Sequence, residues 1–491
     1  MCGFIGMVAP RGTDVFADLY DGLTAIQHRG QDAAGIVTYD HRFNLKKGEG
    51  LVRDVFAEKH SRRLRGNLGV AHVRYPTVGA GGVEDAQPFT AACPYGIAMA
   101  HNGNLTNFAE LKGELASNGL RHINSSCDVE AILNVFAEGM SRRGKLDPET
   151  VFDGVNEVYQ RAKGAYSAVA IIAGYGLVAF RDPYGIKPIV FGERTAAAGR
   201  TFCVASESVV LDLLGCERTT DIQAGEAVLI LESGEVIRRK IANRPHNPCL
   251  FEWVYFARPD SFLDGVSVYK SRLRLGERLA DLWLETGLHA DVVIPVPESS
   301  TTAAMALANK LGIKYREGLV KNRYIGRTFI MPNQTKRQRS VRQKLNPIPL
   351  EFEGKDVLLV DDSIVRGNTS RQIVKIARDA GARRVFFASY SPPIRYPCLY
   401  GIDMSTKNEF IARGRLAEEV AEEIGADYVL YQTLENLIEA VQEGNPNLKS
   451  FCAACFCGEY PTGDITPEVL RAIEQERTTS QCGAPQPIAV S

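Results

Sequence analysis

The second half of the chain alternates helix-like segments with short β-rich runs, and this rhythm constrains its fold more than any other feature. The helix-like segments are 271–287, 300–311, 370–380, 415–424 and 433–443, and the β-rich runs are 291–295, 356–360, 384–388 and 427–431. Alternating elements of this kind predict an open parallel sheet covered by helices. Ligands of such sheets bind beyond the carboxyl ends of the strands, so the loops that follow these runs are candidate binding segments.

The first half has many short apolar runs separated by polar turns. Its longest apolar stretch, 165–180, is interrupted by glycines, which predicts two strands joined by a turn rather than a membrane span. Helical stretches lie near 107–116 and 129–138. Clustered strands with helices between them predict an α+β layered domain that ends near residue 235, before a proline-containing linker at 244–248.

Composition excludes several classes of protein. The 57 Lys and Arg residues balance 58 Asp and Glu residues across 491 positions, and this near-neutral charge argues against a nonspecific nucleic-acid binder. The first residues lack the basic and apolar segments of a secretory signal, so we expect a cytoplasmic location. There, the 11 cysteines are expected to be metal ligands, nucleophiles or buried thiols rather than disulfides.

Cys2 follows the initiator methionine directly. Removal of Met1 would expose an α-amine beside the thiol, with a pKa of about 8 in solution. One residue could then supply both a nucleophile and its general base. A cysteine at the second position also occurs by chance, so Cys2 taken alone does not establish this chemistry.

Three further segments carry groups suited to the same chemistry. Arg74, at the end of a predicted strand, could bind a carboxylate through its guanidinium fork. The Asn102 amide and the Gly103 N–H could stabilise an oxyanion, and Asp128 could accept a ligand ammonium. Each has a purely structural alternative, since Asn-Gly also forms tight turns and an aspartate also caps helices.

The segment 357–370 indicates a phosphate site. Its apolar run ends in Asp361 and Asp362, which could bind sugar hydroxyls or Mg²⁺. The loop that follows offers backbone N–H groups and the Thr369 and Ser370 hydroxyls at the start of a predicted helix, where a phosphate is favoured. The structural alternative is an ordinary loop with an acidic cap.

Two other segments belong to the same half. Residues 294–302 form a second strand-to-helix turn suited to pyrophosphate and Mg²⁺. Residues 321–344 contain eight basic residues and no acidic one. Such a segment is typical either of a nucleic-acid patch or of a lid that closes over a pyrophosphate, here with Lys321, Arg323 and Arg327. The charge balance of the whole chain favours the lid.

Four cysteines that are distant in sequence form a candidate metal site. Cys452 and Cys455 make a C-x-x-C pair, Cys249 follows the predicted linker, and Cys398 lies between them in the chain. Such thiolates could hold zinc, an iron–sulfur cluster or nothing, and their spacing does not decide between these alternatives.

In this order, the segments around Cys2, Arg74, Asn102 and Asp128 resemble those of the N-terminal-nucleophile glutamine amidotransferase domain. The resemblance implies an αββα sandwich over residues 2–235, in which Cys2 attacks the side-chain amide of glutamine and releases ammonia. It also implies that Asn102 and Gly103 form the oxyanion hole. Arg74 would bind the carboxylate of glutamine, and Asp128 its α-amine.

The second half resembles the type I phosphoribosyltransferases, chiefly in the segment 357–370. This implies an α/β domain with a parallel sheet over residues 250–445, which binds 5-phosphoribosyl 1-pyrophosphate (PRPP). One Mg²⁺ per subunit would be held by Ser299, Asp361 and Asp362. The residues implied to bind PRPP are Asp361, Asp362, Ser363, Arg366, Gly367, Asn368, Thr369, Ser370, Lys321, Arg323 and Arg327.

Taken whole, the chain resembles the glutamine PRPP amidotransferases, and its cysteine contexts look like those of the branch that contains an iron–sulfur cluster. This implies one [4Fe–4S] cluster per subunit, bound by Cys249, Cys398 and the pair Cys452 and Cys455 in a C-terminal tail, 446–491. Relatives that contain the cluster often carry a propeptide before the nucleophile, so either removal of Met1 alone matures the chain or a propeptide is missing from this sequence.

The implied reaction converts PRPP, glutamine and water to 5-phosphoribosylamine, glutamate and pyrophosphate, the first committed step of purine synthesis. The resemblance further implies inhibition by purine nucleotides and a homotetramer, with no nucleic-acid or membrane partner. The alternatives are another amidotransferase, such as a glucosamine-phosphate synthase or an asparagine synthetase, and a noncatalytic PRPP-binding regulator. The segment 357–370 argues against the first, and the intact set around Cys2 argues against the second.

Overall fold

The computed structural model describes residues 2–75, 82–117, 121–322, 345–402 and 409–471. Two residues of the expected lid, Arg323 and Arg327, lie outside these ranges, as does the end of the expected tail.

Two antiparallel sheets form the first half. Its strands are β1 (Gly3–Val8), β2 (Ala33–Asp40), β3 (Arg42–Glu49), β4 (Leu68–Arg74), β5 (Phe89–Ala91), β6 (Ile97–Leu105), β7 (Gly164–Ile172), β8 (Gly176–Arg181), β9 (Val190–Ala196), β10 (Gly199–Ala205), β11 (Glu217–Arg218), β12 (Glu226–Leu231) and β13 (Val236–Lys240). Its helices are α1 (Phe16–Ala25), α2 (Val52–Val55), α3 (Phe108–Ser117), α4 (Asp128–Ser141), α5 (Pro148–Arg161) and α6 (Val209–Leu213). The strand orders are β11-β9-β10-β1-β4-β2-β3 and β13-β12-β8-β7-β6-β5.

Successive side chains of a strand point to opposite faces of its sheet, and both faces of these two sheets are apolar. One face of each sheet packs against the other sheet, and the opposite face packs against helices. Phe4 and Val8 of β1 meet Val169 and Ile171 of β7 in the buried layer between the sheets. Helices α1 and α6 cover the outer face of the first sheet, and α4 and α5 cover that of the second. The expected αββα sandwich is confirmed. The stretch 165–180 forms the hairpin of β7 and β8, as predicted.

The second half is built on a parallel sheet. Its strands are β14 (Phe262–Leu263), β15 (Val266–Ser267), β16 (Val292–Pro295), β17 (Lys314–Tyr315), β18 (Leu319–Lys321), β19 (Leu345–Pro347), β20 (Asp356–Asp361), β21 (Arg384–Ser389) and β22 (Tyr428–Tyr431). Its helices are α7 (Val268–Glu285), α8 (Thr301–Leu311), α9 (Asn368–Asp379), α10 (Ala417–Ile424), α11 (Leu434–Gln442) and α12 (Ala454–Cys457), preceded by a π-helix, Glu252–Phe256.

The order of the main sheet is β17-β16-β20-β21-β22, and every neighbouring pair is parallel. The α/β expectation is therefore confirmed, and the four predicted β-rich runs match strands to within one residue at either end. The short strands β14, β15, β17, β18 and β19 were not predicted, because two or three residues carry too little periodicity to be recognised.

The two halves share a buried core. Ala165 and Ile186 of the first half pack in the same apolar cluster as Trp253 and Tyr400 of the second. Within the described ranges, the structure contains no helix whose length and apolar character would let it cross a membrane.

Candidate active site

Cys2 lies at the start of β1, the strand between β10 and β4 near the centre of its sheet. Its backbone nitrogen donates to Asn102 Oδ1 at 3.4 Å, and its Sγ lies 3.6 Å from the Tyr75 carbonyl oxygen. The carbonyl oxygen of Cys2 accepts a hydrogen bond from Arg29 Nε at 3.1 Å. Both ends of the Cys2 backbone are therefore held by side chains from other elements.

Beside Cys2 lies a cavity of about 260 Å³, whose wall includes Arg74, Gly103, Cys127 and Asp128. Four of the five residues predicted for glutamine chemistry therefore line one cavity. The fifth, Asn102, is fully buried next to it, and its Nδ2 has no hydrogen-bond partner among the described residues. A buried donor without a partner is costly unless a ligand satisfies it, and this is the property that an oxyanion hole requires.

Gly103 lies too close to its neighbours for any side chain. A Cβ at this position would come within 2.1 Å of the Ala165 carbonyl oxygen and 2.6 Å of the Tyr166 Cα. These are backbone atoms of the paired strand β7, so they have little freedom to yield. The strand thus brings the backbone of Gly103 to the cavity without an intervening side chain.

Arg74 forms an ion pair with a residue that sequence reasoning missed. Its Nη2 lies 3.2 Å from Asp85 Oδ2, and both side chains are about 95% buried. Asp85 also accepts hydrogen bonds from the Ser126 backbone N–H at 2.9 Å and the Ser126 hydroxyl at 2.6 Å. No motif around Asp85 indicated this role, because the contact depends on the packing of distant segments.

Asp128 is the first residue of α4, and its Oδ2 accepts the Leu105 N–H at 2.8 Å. Its Oδ1 lies 3.1 Å from His101 Nε2, although the two atoms are not aligned as a hydrogen bond. Burial alone would raise the pKa of Asp128, but the His101 ring and the Leu105 N–H hold it below its ordinary value. The carboxyl is therefore ionised at neutral pH, as an ammonium-binding group must be.

A second unpredicted residue, Gln87, fixes His101. Gln87 Oε1 accepts the His101 backbone N–H at 2.7 Å, and Gln87 Nε2 lies 3.1 Å from His101 Nδ1. Nε2 also lies 3.5 Å from the Cys127 sulfur. Burial raises the pKa of Cys127 well above its ordinary range, so this thiol stays protonated beside the nucleophile.

The wall of this cavity is completed from the C-terminal part of the chain. Asp464 and Val469 line it, and Asp464 Oδ2 accepts the Thr106 hydroxyl at 2.8 Å. The sandwich therefore does not enclose the cavity by itself.

A second cavity, of about 640 Å³, lies at the carboxyl ends of β16 and β20. Nine of the residues predicted to bind PRPP or Mg²⁺ line it, namely Ser299, Asp361, Asp362, Ser363, Arg366, Gly367, Asn368, Thr369 and Ser370. Lys321 is not part of its wall, and its Nζ lies 3.7 Å from Glu298 Oε2. Arg323 and Arg327 lie outside the described residues.

Gly367 gives the loop its shape. Its φ of 71° is in the left-handed region, immediately before α9 begins at Asn368, and only glycine adopts this region without strain. A Cβ there would also lie 2.2 Å from Ile411 Cδ1. The first residues of this twelve-residue helix line the cavity, and the N-terminus of a helix favours a phosphate.

Asp361 and Asp362 are buried side by side. Burial and the neighbouring carboxylate raise the pKa of Asp361 well above its ordinary value, and burial raises the pKa of Asp362. Asp362 accepts hydrogen bonds from the hydroxyls of Ser299 and, at 2.6 Å, Ser363. Two carboxylates and hydroxyl oxygens in this setting are the hard donors that Mg²⁺ prefers, so the residues present fit that ion.

The two cavities are neighbours. Tyr75 lies in the wall of both. The loop that contains Leu399 packs on β6, where Asn104 Nδ2 donates to the Leu399 carbonyl at 3.0 Å. The cavity beside Cys2 thus has the second cavity as its immediate neighbour.

The four predicted cluster cysteines come together at the junction of the two halves. Cys249 and Cys452 pair as an isolated parallel bridge, and all four thiols are more than nine-tenths buried. Burial raises the pKa of Cys249 to about 12. Burial, reinforced by the charges of Cys249, Cys398 and Cys452, raises that of Cys455 further. All four residues belong to one buried apolar cluster.

Within the described ranges, no three His, Cys, Asp or Glu side chains converge tightly enough to bind one metal ion. Cysteine thiolates are ligands of both zinc and iron–sulfur clusters, so the chemistry of the four residues fits either group. Cys457, which is close in sequence, points elsewhere and lies 3.4 Å from the Ala453 carbonyl.

Comparisons with known proteins agree with this geometry. The glutamine amidotransferase domain family matches residues 77–212, and the phosphoribosyl transferase domain family matches residues 268–390. The amidophosphoribosyltransferase of Pseudomonas aeruginosa is 54% identical over 483 residues, which cover 97% of this chain and 96% of that protein. The Escherichia coli enzyme of the same name is 50% identical over 487 residues, with 97% and 96% covered.

Among solved structures, the glutamine PRPP amidotransferase of B. subtilis, in complex with ADP and GMP, superposes with a TM-score of 0.84. It is 36% identical, and the match covers 95% of this chain and 98% of that one. A glutaminase sandwich joined to a phosphoribosyltransferase sheet defines a two-part glutamine amidotransferase. The chain belongs to the amidophosphoribosyltransferase family, the enzymes that catalyse the first step of purine biosynthesis.

Proposed function

We propose that the chain releases ammonia from glutamine at Cys2 and uses it to displace pyrophosphate from C1 of PRPP. The products are glutamate, pyrophosphate and 5-phosphoribosylamine. The observation that carries the proposal is that the cavity beside Cys2 and the cavity beside Asp361 share Tyr75 in their walls. Residues 2–235 would perform the first reaction, residues 250–445 the second, and 446–491 would form a tail that carries two cluster ligands.

The first reaction begins once removal of Met1 frees the α-amine of Cys2. This amine takes the thiol proton, and the thiolate attacks the side-chain amide carbon of glutamine. Asn102 Nδ2 and the Gly103 N–H stabilise the oxyanion that forms. The proton then passes to the departing nitrogen, which leaves as ammonia, and water cleaves the remaining thioester to release glutamate.

Recognition of glutamine uses the two charged residues in the same wall. Asp128 binds the α-ammonium, and Arg74 binds the α-carboxylate. Because Arg74 already contacts Asp85, a bound carboxylate would share or replace that contact. The guanidinium presents five N–H donors in a fixed fork, so it can keep one partner while it accepts another.

The second reaction needs placement and charge stabilisation more than covalent chemistry. The N–H groups and hydroxyls of residues 367–370 bind the 5-phosphate, and Asp361 and Asp362 bind the ribose hydroxyls. One Mg²⁺ per subunit, held by Ser299, Asp361 and Asp362, would neutralise the leaving pyrophosphate. Lys321, Arg323 and Arg327 would cover it as a lid, which keeps ammonia and water apart.

The decisive experiment separates the two reactions. Cys2→Ala should abolish glutamine-dependent phosphoribosylamine synthesis, because it removes the nucleophile, and should leave synthesis from high concentrations of ammonium salts within about twofold of the parent. The matched control is Cys93→Ala, at an exposed cysteine, which should change neither activity. Equal loss of both activities in Cys2→Ala would contradict the proposal.

The complementary variant tests the second cavity. Asp362→Ala should abolish synthesis from glutamine and from ammonia alike, since both use PRPP. Ammonia-dependent synthesis that survived this substitution would show that Asp362 does not belong to the PRPP site.

We further propose one [4Fe–4S] cluster per subunit, bound by Cys249, Cys398, Cys452 and Cys455. The gathering of four buried thiols supports it, and a bound cluster would hold these thiols deprotonated. Its role is structural, since Cys398 and the pair Cys452 and Cys455 come from separate segments that pack against the first half. Protein purified without oxygen should contain about four irons and four sulfides per chain.

Cys455→Ser should lose the iron, whereas the neighbouring variant Cys457→Ser should keep it. Zinc in place of iron in the parent, or equal iron loss in both variants, would contradict the cluster.

We also propose that purine nucleotides inhibit the enzyme, that it forms a homotetramer and that it works in the cytoplasm. The B. subtilis structure with ADP and GMP supports the first of these. Inhibition assays with these two nucleotides and light scattering of the purified protein test the first two. A monomer in light scattering would contradict the second.

A further inference from the structure

A buried network of charged residues lies at the junction of the two halves, and it ends at the nucleophile. Arg29 donates from Nε to the Cys2 carbonyl at 3.1 Å. From Nη2 it donates to both carboxylate oxygens of Glu252, at 2.8 and 3.0 Å, and from Nη1 to Glu207. Glu207 belongs to the first half, and Glu252 belongs to the π-helix that opens the second.

The side chains of Arg29, Glu207 and Glu252 are at most 1% exposed. Burial alone would lower the pKa of Arg29, but the charges of Glu252 and Glu207 raise it above its ordinary value. Glu252 supplies both acceptors of Arg29 Nη2, so a change at Glu252 would force the guanidinium and the remaining groups to rearrange.

The Arg29 side chain packs closely against the start of β1. A Cβ on Gly3, the residue after the nucleophile, would lie 3.2 Å from Arg29 Cδ and 2.9 Å from Ile26 Cδ1. Displacement of the Arg29 side chain would therefore be transmitted to the start of β1, and with it to Cys2.

The segment that supplies Glu252 is itself firmly held. Arg272 donates to the Trp253 carbonyl at 3.0 Å and to the Ala257 carbonyl at 2.8 Å, and the Tyr390 hydroxyl donates to the Val254 carbonyl at 2.8 Å. The neighbouring aromatic residues Phe251, Tyr255 and Phe256 line the second cavity. The segment 251–257 thus lines the second cavity and, through Glu252, binds Arg29 beside Cys2.

We propose that Glu252 is a positioning residue for the Cys2 nucleophile, acting through Arg29, so that the second half of the chain completes the glutaminase site. The inference rests on the proposed role of Cys2. Glu207 cannot replace Glu252 in this task, because it is shared with His28, the Arg258 N–H and the Ser261 hydroxyl.

The test variant is Glu252→Gln in the full-length enzyme, which keeps the shape of the side chain and removes its charge. We expect the kcat of glutamine hydrolysis to fall about 10- to 100-fold, the order of loss that a small misplacement of a reacting group produces. The KM for glutamine should stay within about twofold, and so should ammonia-dependent synthesis. Glu252→Asp, which retains the charge, should recover part of the lost kcat.

The molecule offers a matched control. Arg181 and Asp264 form another buried ion pair between the two halves, at 2.6 and 2.9 Å, and neither touches Cys2. Asp264→Asn should destabilise the protein but leave the kcat of glutamine hydrolysis per folded enzyme within about twofold. Asp264 has a positive φ of 49°, which asparagine tolerates.

Arg29→Lys provides a second variant in case Glu252→Gln does not fold. It keeps a buried cation but loses the Nε donor to the Cys2 carbonyl, so the same selective loss of kcat is expected. The inference is overturned if Glu252→Gln and Arg29→Lys keep kcat, if they change only KM, or if Asp264→Asn loses kcat equally. Failure of the underlying function is distinguishable, because Cys2→Ala would then retain glutamine hydrolysis.

Discussion

At the level of single residues, Asp221 is a buried carboxyl whose hydrogen bonding is incomplete. It is 7% exposed, and its Oδ1 has no hydrogen-bond partner among the described residues. It borders a cavity of about 320 Å³ that also touches His246 and Asp264. Burial and the charge of Asp264 raise the pKa of Asp221 to about 6, because the nearby Arg181 is already neutralised by Asp264.

This shift predicts a pH-dependent stability. The pKa of Asp221 in the folded protein lies above its ordinary value of 3.8. Its contribution to the free energy of unfolding is therefore fully present below about pH 4, where the carboxyl is protonated, and is lost as the pH rises through about 6. Asp221→Asn has no charge to bury. It should be more stable than the parent at pH 7, by up to about 3 kcal/mol, and the difference should shrink as the pH falls.

Urea unfolding at pH 5 and pH 7 measures this difference in the free energy of unfolding. The control, Asp21→Asn at an exposed position of α1, should change stability by less than about 0.5 kcal/mol at either pH. A gap between the parent and Asp221→Asn that does not vary with pH would refute the prediction.

Among the elements, strand β6 carries the proposed oxyanion residues and also contacts the second half of the chain. Gly103 faces the backbone of β7 on one side, and a Cβ on Gly401 of the second half would lie 2.7 Å from the Gly103 carbonyl oxygen. The loop that contains Cys398, a proposed cluster ligand, thus supports the strand that carries the proposed oxyanion hole. The position of β6 depends on both contacts.

Gly103→Ala should therefore be damaging in two ways. The added methyl meets backbone atoms of β7, so we expect the free energy of unfolding to fall by about 2 kcal/mol or more and glutamine hydrolysis to be lost. Gly113→Ala is the control, because a Cβ there meets nothing within 4 Å. Within helix α3, it should instead stabilise the protein by about 1 kcal/mol. Equal denaturation midpoints for the two variants would show that the close approach at Gly103 is unimportant.

At the scale of the whole molecule, the two halves are joined by a shared apolar core and by buried ion pairs rather than by a linker alone. Ala165 and Ile186 lie in the core of the second half, and Arg29 and Arg181 reach across to Glu252 and Asp264. Separation of the halves would expose both the apolar surface and the charges. Neither half is expected to unfold while the other remains folded.

The positions of the tryptophans make it possible to test whether the two halves unfold together. The chain contains two tryptophans, Trp253 and Trp283, and both lie in the second half. Tryptophan fluorescence therefore follows that half and, through Trp253, its junction with the first half, whereas far-ultraviolet circular dichroism follows both halves. We expect the two signals to give one coincident transition on denaturation, as a cooperative unit requires. Two separate midpoints would show that the halves unfold independently.

Much of the fold was accessible from local sequence pattern. The alternation of helices and strands in the second half predicted the parallel sheet, and the strand ends placed Asp361 and Asp362 beside the loop that begins α9. These are short-range properties, because side-chain periodicity and turn residues determine the local element. The short strands and the π-helix 252–256 were not recognisable, since elements of two to five residues carry too little periodicity.

The candidate site was accessible only in part. Cys2, Arg74, Gly103 and Asp128 were predicted and meet in one cavity. Their supporting residues were not predicted, because Asp85 and Gln87 have ordinary sequence contexts and acquire a role only through the groups that they contact. Glu252 is the extreme case, since 223 positions separate it from Arg29.

Residue types and local pattern were enough to indicate the chemistry of this protein: a thiol at the second position, a phosphate loop after a buried strand, and four cysteines of unusual context. How these groups are held became visible in the folded chain, where Arg74 meets Asp85, four distant thiols gather at one junction, and Glu252 of the second half holds Arg29 beside Cys2. The difference is one of range. Residue type and local periodicity act over a few positions, whereas buried ion pairs and close backbone approaches depend on which distant surfaces the folded chain brings together.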